Sequence, residues 1–391
     1  MPPPTQHSQR PVSKVSPFRV MSVMERAAEL EKQGRNIVHM EVGEPDFSTA
    51  SPIIEAGKQA LDKGLTQYTP AAGIPELRDC LVAHYSERYS VDIARERIFI
   101  TPGASGGLTL LANLLLAPGE GVLLGDPAYP CVRNFIHLMS AQPQLIPVTM
   151  EQNFQPTIEQ LEQHCKENTR GLWLASPNNP TGTILERPLL QAVSDWTQQK
   201  NLHLLVDEIY HGLHYVDDLP SVLEFDQSSF VVNSFSKYFG MTGWRLGWIV
   251  VPEEFVSTAN SLAQNLYISA SSIAQYAALA AFSSEARVIF EERRRAFLER
   301  KEFLSKALKE IGFLFSDNIQ GAFYIYANIS KFSNDSEHFC QQMLEEHGVA
   351  ITPGTDFGEY ECNNFVRFAF TTDFQSLELG VERLRKALQP G

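Results

Sequence analysis

The sequence predicts an α/β fold, in which a mostly parallel central sheet is sandwiched by helices and followed by a smaller α+β domain. Three observations predict it. Six apolar strand candidates (RIFIT, GVLLGD, GLWLAS, LHLLVD, FVVNSF and LGWIVV) alternate with helical stretches such as GGLTLLANLLLAPG and RPLLQAVSDWTQQKN. Strands that are apolar without alternation are buried on both faces, as in a parallel sheet covered by its own crossover helices. Polar residues gather where these strands finish, in the crevice where open α/β sheets hold their ligands. After about residue 290 the texture changes. A long charged amphipathic helix, EERRRAFLERKEFLSKALKEIG, leads into GAFYIYANIS, SEHFCQQMLEEHG, VAITPG, NFVRFAF and SLELGVERLRKALQ, where strands and helices mix.

The elements follow in order. MPPPTQHSQRPVSKVSPF is rich in proline and polar residues and reads as a loose arm. SVMERAAELEKQ predicts a helix with Ser22 near its cap, followed by a short strand in IVHMEVG and a turn at EPDF. SPIIEAGKQALDKG is a helix with proline in its first turn, and GIPELRDCLVAHYSERY is another. The expected organisation is an N-terminal arm and segment over 1–48 that packs with the small domain, a large domain over 49–290 and a small C-terminal domain over 291–391.

At 391 residues the chain exceeds the usual single domain, and 43% hydrophobic with 20% charged residues is ordinary globular composition. The net charge of -14, from Lys+Arg 32 against Asp+Glu 46, repels phosphate backbones and anionic lipid, so neither nucleic acid nor membrane is an expected partner. Five cysteines, an odd number without a C-x-x-C pair, fit a reducing compartment, and cytoplasm is the expectation. Arg10 and Lys14 precede the first acidic residue, Glu25, which leaves an organellar transit peptide open, although the early prolines disfavour its amphipathic helix.

NSFSKYFGMTGWRLGW, residues 233–248, carries the chemistry. A lone loop lysine is ordinarily a solvated charge. Here Lys237 sits beside Ser234 and Ser236, and Arg245 follows in a Gly-x-Arg-x-Gly frame that permits close backbone approach. Such a turn suits a phosphorylated carbonyl compound, with the lysine as its imine and the other groups on its phosphate. Asp207 ends LHLLVD, where helix capping is the ordinary role. SPNNPTG, residues 176–182, reads first as a turn. TPGASGGLTLL exposes the N–H groups of Ala104 and Ser105 at a helix start, a natural anion site. DPAYP places Tyr129 just beyond a strand. Arg367 lies in the apolar strand NFVRFAF, where a guanidinium needs either a structural salt bridge or a ligand anion. His39, His203, His211 and His214 lack a carboxylate or cysteine constellation, so no metal is expected; His211 and His214 are expected beside Tyr210. GASGG lacks the G-K-S/T of a P-loop, and Cys131 lacks an oriented histidine.

The frame S-x-S-K-x-x-x-x-x-G-x-R-x-G resembles the pyridoxal-phosphate lysine region of class I/II aminotransferases, the aspartate aminotransferase-like enzymes of fold type I. The resemblance runs from VGEPDF to VRFAF. It implies pyridoxal 5'-phosphate as cofactor, a homodimer, L-amino acid and 2-oxo acid substrates, and transamination through a Schiff base at Lys237. By the same resemblance Ser234, Ser236, Arg245, Ala104 and Ser105 match the phosphate site, and Asp207 matches the partner of the pyridine nitrogen. Asn179 and Tyr210 match the groups on the ring oxygen, and Tyr129 the aromatic stacked on the ring. Tyr68, in YTPAAGIPELR, matches the tyrosine that reaches the phosphate of the other subunit. Arg367 matches the arginine that grips the α-carboxylate, aided by the Gly43 backbone and Asn179. Phe18, Tyr129 and Tyr267 offer aromatic walls, and no second arginine is assigned for an acidic side chain. Two alternatives stand beside transamination. One is a related C–S β-lyase or α-synthase; the other is a non-catalytic regulator on the same fold, which the retained lysine and the lack of a helix-turn-helix before VGEPDF disfavour.

Overall fold

The structure, a computed structural model, describes residues 11–388. The expected loose arm lies outside the described residues over positions 1–10; Pro11–Lys14 form one 3-10 turn. The chain then forms α1 (Arg19–Lys32), β1 (Val38–His39), α2 (Ser51–Asp62) and α3 (Pro75–Tyr89). An alternating run follows: β2 (Ile98–Thr101), α4 (Gly103–Leu115), β3 (Gly121–Asp126), α5 (Pro130–Leu138), β4 (Gln142–Pro147), α6 (Ile158–His164), β5 (Thr169–Ala175), α7 (Arg187–Lys200), β6 (His203–Asp207), β7 (Phe230–Ser234) and β8 (Gly247–Val250). After α8 (Val256–Leu266) and α9 (Ser272–Leu279) come α10 (Ser284–Ile311), β9 (Tyr324–Asn328), α11 (Ser336–His347), β10 (Val349–Ala350), β11 (Thr352–Pro353), β12 (Phe365–Ala369) and α12 (Phe374–Leu388).

Strands β2 to β8 make one sheet in the order β2-β8-β7-β6-β5-β3-β4. Its pairs are parallel except those of β8, which runs antiparallel to both neighbours. Its interior strands are buried on both faces, Phe230–Ser234 without exception, which is why the sequence reads there as continuous apolar runs. The six strands read from the sequence are present. β4 is a seventh that the apolar pattern does not reveal, because QPQLIP carries two prolines and two glutamines. Proline cannot donate to a ladder, and β4 is an edge strand, where that loss costs little.

The C-terminal part builds a second core. β11, β12 and β9 form a three-stranded antiparallel sheet, β1 pairs in parallel with β10, and α10, α11 and α12 cover them. α10 runs without a break across positions 290 and 291. α1 is tied to this part by Arg26 Nε on Glu345 Oε1 at 2.6 Å and by packing of Ala27 and Leu30 against Leu344 and Ala350. Ser22 is not its cap. The helix starts at Arg19 because the Asp356 carboxylate accepts the N–H groups of Arg19 at 2.9 Å and Val20 at 3.4 Å, doing from another element what a capping side chain does locally.

Candidate active site

The strands β2, β5, β6 and β7 finish at one cavity of about 580 Å³. Every residue expected to hold the cofactor or the α-carboxylate lines it except Tyr68, which is 81% exposed on the surface of the chain. A recess of about 680 Å³ beside Lys14, Arg133 and Lys166 is larger, but it holds none of those groups.

One end of the cavity is made for an anion. α4 begins at Gly103 directly after β2, aiming its unbonded N–H groups at the cavity where Ala104 and Ser105 line it. Gly103 has φ +70°, and a Cβ there would lie 2.5 Å from Arg245 Nη2, so only glycine lets helix and guanidinium approach this closely. Ser234 closes β7; its Oγ accepts the Ser236 N–H at 3.0 Å, folding the chain back so that both serines face the same space.

The cavity is also lined by Lys237 and Asp207. Lys237 is half-buried as a residue, but its amine lies at the enclosed floor, donating to the Gly43 carbonyl at 2.7 Å, and burial lowers its pKa to about 8. Asp207 ends β6, is 7% exposed and accepts the Ile209 N–H at 3.1 Å. Burial raises its carboxyl to about pH 7, against the opposing pull of that bond and the Lys237 charge. Tyr210 is buried with its hydroxyl 2.9 Å from that of Tyr324.

At the far end Arg367 is 2% exposed. Its Nη1 donates to Asn179 Oδ1 at 2.8 Å and its Nη2 to the Glu41 carbonyl, while its guanidinium lies 4.3 Å from the Tyr324 ring centroid and 4.8 Å from that of Phe357. Neither contact is the salt bridge a structural arginine would make, and Nε is buried without a partner among the described residues. A buried cation with an orphaned donor, facing a cavity, is suited to a ligand carboxylate.

Tyr324 is the site residue that the sequence reading missed. A Cβ at Gly43 would fall 1.7 Å from its hydroxyl, so the glycine there makes room for this ring. The signal was weak because GAFYIYA is buried on both faces of β9, and alternation therefore does not say which tyrosine meets the cavity. Three expectations are corrected. Tyr267 packs against the core beside α8 and does not line the cavity. His211 turns toward α3 and bonds the Tyr89 hydroxyl at 2.6 Å, and His214 lies 3.2 Å from Arg88, so neither shares the cavity with Tyr210.

Residues 35–384 match the family model for aminotransferase class I and II. Among similar proteins, the valine–pyruvate aminotransferase of Mycobacterium tuberculosis is 35% identical over 95% of this chain and 96% of its own length. The aspartate aminotransferase of Pyrococcus horikoshii is 35% identical over 95% of this chain and 94% of its own. The crystal structure of an aminotransferase from Mycobacterium tuberculosis superposes with a TM-score of 0.94 at 34% identity, covering 97% of this chain and 98% of that one. The architecture is therefore that of the fold-type I transferases. The chain belongs to the class I and II aminotransferases, a family of pyridoxal-phosphate-dependent enzymes.

Proposed function

We propose that this chain holds pyridoxal 5'-phosphate at Lys237 and uses it to move the amino group of an L-amino acid to a 2-oxo acid. One observation carries the assignment: a depressed lysine and a buried carboxylate share a cavity between an anion cradle and an unsatisfied arginine. The residues fit the cofactor. Lys237 Nζ would be its attachment point, Ala104, Ser105, Ser234, Ser236 and Arg245 would hold its phosphate, Asp207 would pair with its ring nitrogen, Asn179 and Tyr210 would bind its ring oxygen, and Tyr129 would pack on its ring. When bound, the cofactor supplies an aldehyde for the substrate amine and a cationic ring that accepts the electrons left at Cα.

The chain's own groups do the rest. Arg367 fixes the α-carboxylate with a planar fork and so sets which Cα bond stands where Lys237 reaches. With a pKa of about 8, Lys237 Nζ is partly neutral near pH 7.5 and suited to take the Cα proton and return it. A cation facing Asp207 favours its ionised form, against the burial that chiefly raises its carboxyl to about pH 7. The Gly43 carbonyl receives the Lys237 N–H and keeps the amine aimed.

We also propose a cytoplasmic homodimer in which Tyr68, exposed in one chain, completes the phosphate site of its partner. In it residues 49–290 act as the large cofactor domain and 291–391, with the 1–48 segment, as the small one. The deciding experiment is borohydride reduction of the cofactor-loaded protein followed by intact-mass and peptide mapping. An adduct on Lys237, with 2-oxo acid formed and no ammonia released, supports the reading. An adduct elsewhere refutes it, and stoichiometric ammonia with pyruvate from a sulfur amino acid replaces it with elimination.

A further inference from the structure

We propose that Arg300, on α10, is a positioning residue for the amino acid substrate: through Asp46 it fixes the segment 41–49, whose backbone holds both Lys237 and Arg367. This rests on the reading of the cavity just given. The Glu41 carbonyl accepts Arg367 Nη2, and the Gly43 carbonyl, two residues on, accepts Lys237 Nζ at 2.7 Å. Val42, Gly43 and Glu44 themselves line the cavity. One short stretch of chain therefore sets the spacing between the guanidinium for the α-carboxylate and the amine for the Cα proton. A shift of that stretch moves both groups at once.

The stretch is anchored on either side of those carbonyls. Before them, β1 pairs with β10, and the Met40 N–H reaches the Ala350 carbonyl at 3.0 Å. After them, Arg300 Nη1 and Nη2 donate to the two carboxylate oxygens of Asp46 at 2.8 and 2.9 Å, and Thr49 Oγ1 ties the chain to the Lys237 turn through the Gly240 carbonyl at 2.9 Å. Arg300 Nη1 also donates to the Thr371 carbonyl at 3.1 Å, and the Thr371 hydroxyl donates to the Val42 carbonyl at 2.9 Å. The same guanidinium thus holds the stretch from just beyond β12, the strand that carries Arg367. Its carbon lies 5.0 Å from the centroid of the Phe47 ring, which the Arg293 guanidinium approaches to 5.3 Å. Fork and ring contact both use the plane of a guanidinium, which a lysine lacks. Arg300 is buried and does not line the cavity, so it acts on the substrate through this backbone.

The test uses the cofactor-loaded enzyme with Arg300→Lys, which keeps the charge and loses the fork, and Asp46→Asn, at a position open to water. Calorimetry with an unreactive carboxylate, whichever of 4-methylpentanoate and succinate the wild type binds more tightly, reads the grip of Arg367 without turnover. Absorbance titration reads cofactor affinity. Each variant should weaken carboxylate binding and raise KM for the best amino donor about tenfold, the cost of displacing a binding group by a fraction of an ångström, while cofactor affinity stays within about twofold. The double variant should lie within about twofold of the worse single one, because both act through one contact. Phe47→Leu keeps the fork but removes the ring beside it; it should weaken carboxylate binding about threefold, and it decides the matter if a charge variant fails to fold. Carboxylate binding unchanged in the folded variants, or carboxylate and cofactor affinities falling together, overturns the positioning role, while a Lys237 adduct in the wild type leaves the aminotransferase assignment intact. Absence of that adduct overturns both.

Discussion

Replacing Lys237 by methionine should make the cofactor-free protein more stable while removing its activity. The amine's pKa falls from 10.5 to about 8, chiefly by burial. Two and a half units correspond to about 3 kcal/mol by which folding disfavours the charged form. Methionine retains most of the apolar stem and loses the bond to the Gly43 carbonyl, a contribution of about 1 kcal/mol. Near pH 7 the variant should therefore be more stable by about 2 kcal/mol. The sign reverses with pH. Between about 8 and 10.5 the unfolded chain binds a proton that the folded chain does not, so wild-type stability rises through that window relative to the variant. Urea unfolding of both proteins at pH 7 and at pH 10, compared by midpoint, measures this. A variant less stable at pH 7, or a wild-type to variant difference that does not move between the two pH values, would refute the claim that the lysine is held against its ordinary protonation.

Further outcomes follow from the same geometry. Arg367→Lys removes the fork, at about 1.5 to 3 kcal/mol for a charge-assisted bond, so kcat/KM should fall roughly 10- to 150-fold. Cofactor affinity, measured by titration of absorbance, should stay within about twofold, and equal losses in both would mark the arginine as structural. Tyr324→Phe deletes the hydroxyl 2.9 Å from that of Tyr210 but keeps the ring beneath Arg367, so a loss of about 1 kcal/mol, roughly fivefold in kcat/KM, is expected. Kinetics identical to wild type would show that the hydroxyl pair is idle. His39 bridges Glu41 at 2.8 Å and Glu31 at 3.1 Å, and the bond to Glu41 above all raises its pKa to about 9. Its stabilisation is full below pH 6.5 and lost as pH rises through 9. Discounted for the 37% of its side chain that water reaches, it is about 1 kcal/mol. His39→Gln should lower the unfolding free energy by about that amount at pH 6 and leave it unchanged at pH 10.

The sequence by itself determined the sheet and the chemistry at its strand ends. Residues such as Asp207 and Ser234 terminate apolar runs buried on both faces, so a polar side chain there has nowhere to point but the crevice. Lys237 and Arg245 belong to one short turn whose glycines constrain it locally, and that is why their proximity is readable from spacing.

Tertiary structure alone decided what depends on distant partners. Local propensity places no helix start at Arg19; a carboxylate 337 positions away does, and with it the inward face of Phe18, Val20 and Met21. The Tyr210–Tyr324 hydroxyl pair joins residues 114 apart, and β4 is a strand despite its prolines only because β3 offers an open edge. The division is physical. Periodicity and backbone sterics act over a few residues and can be read along the chain, whereas a cap, an edge or a hydrogen bond across the core exists only once folding brings its two halves together.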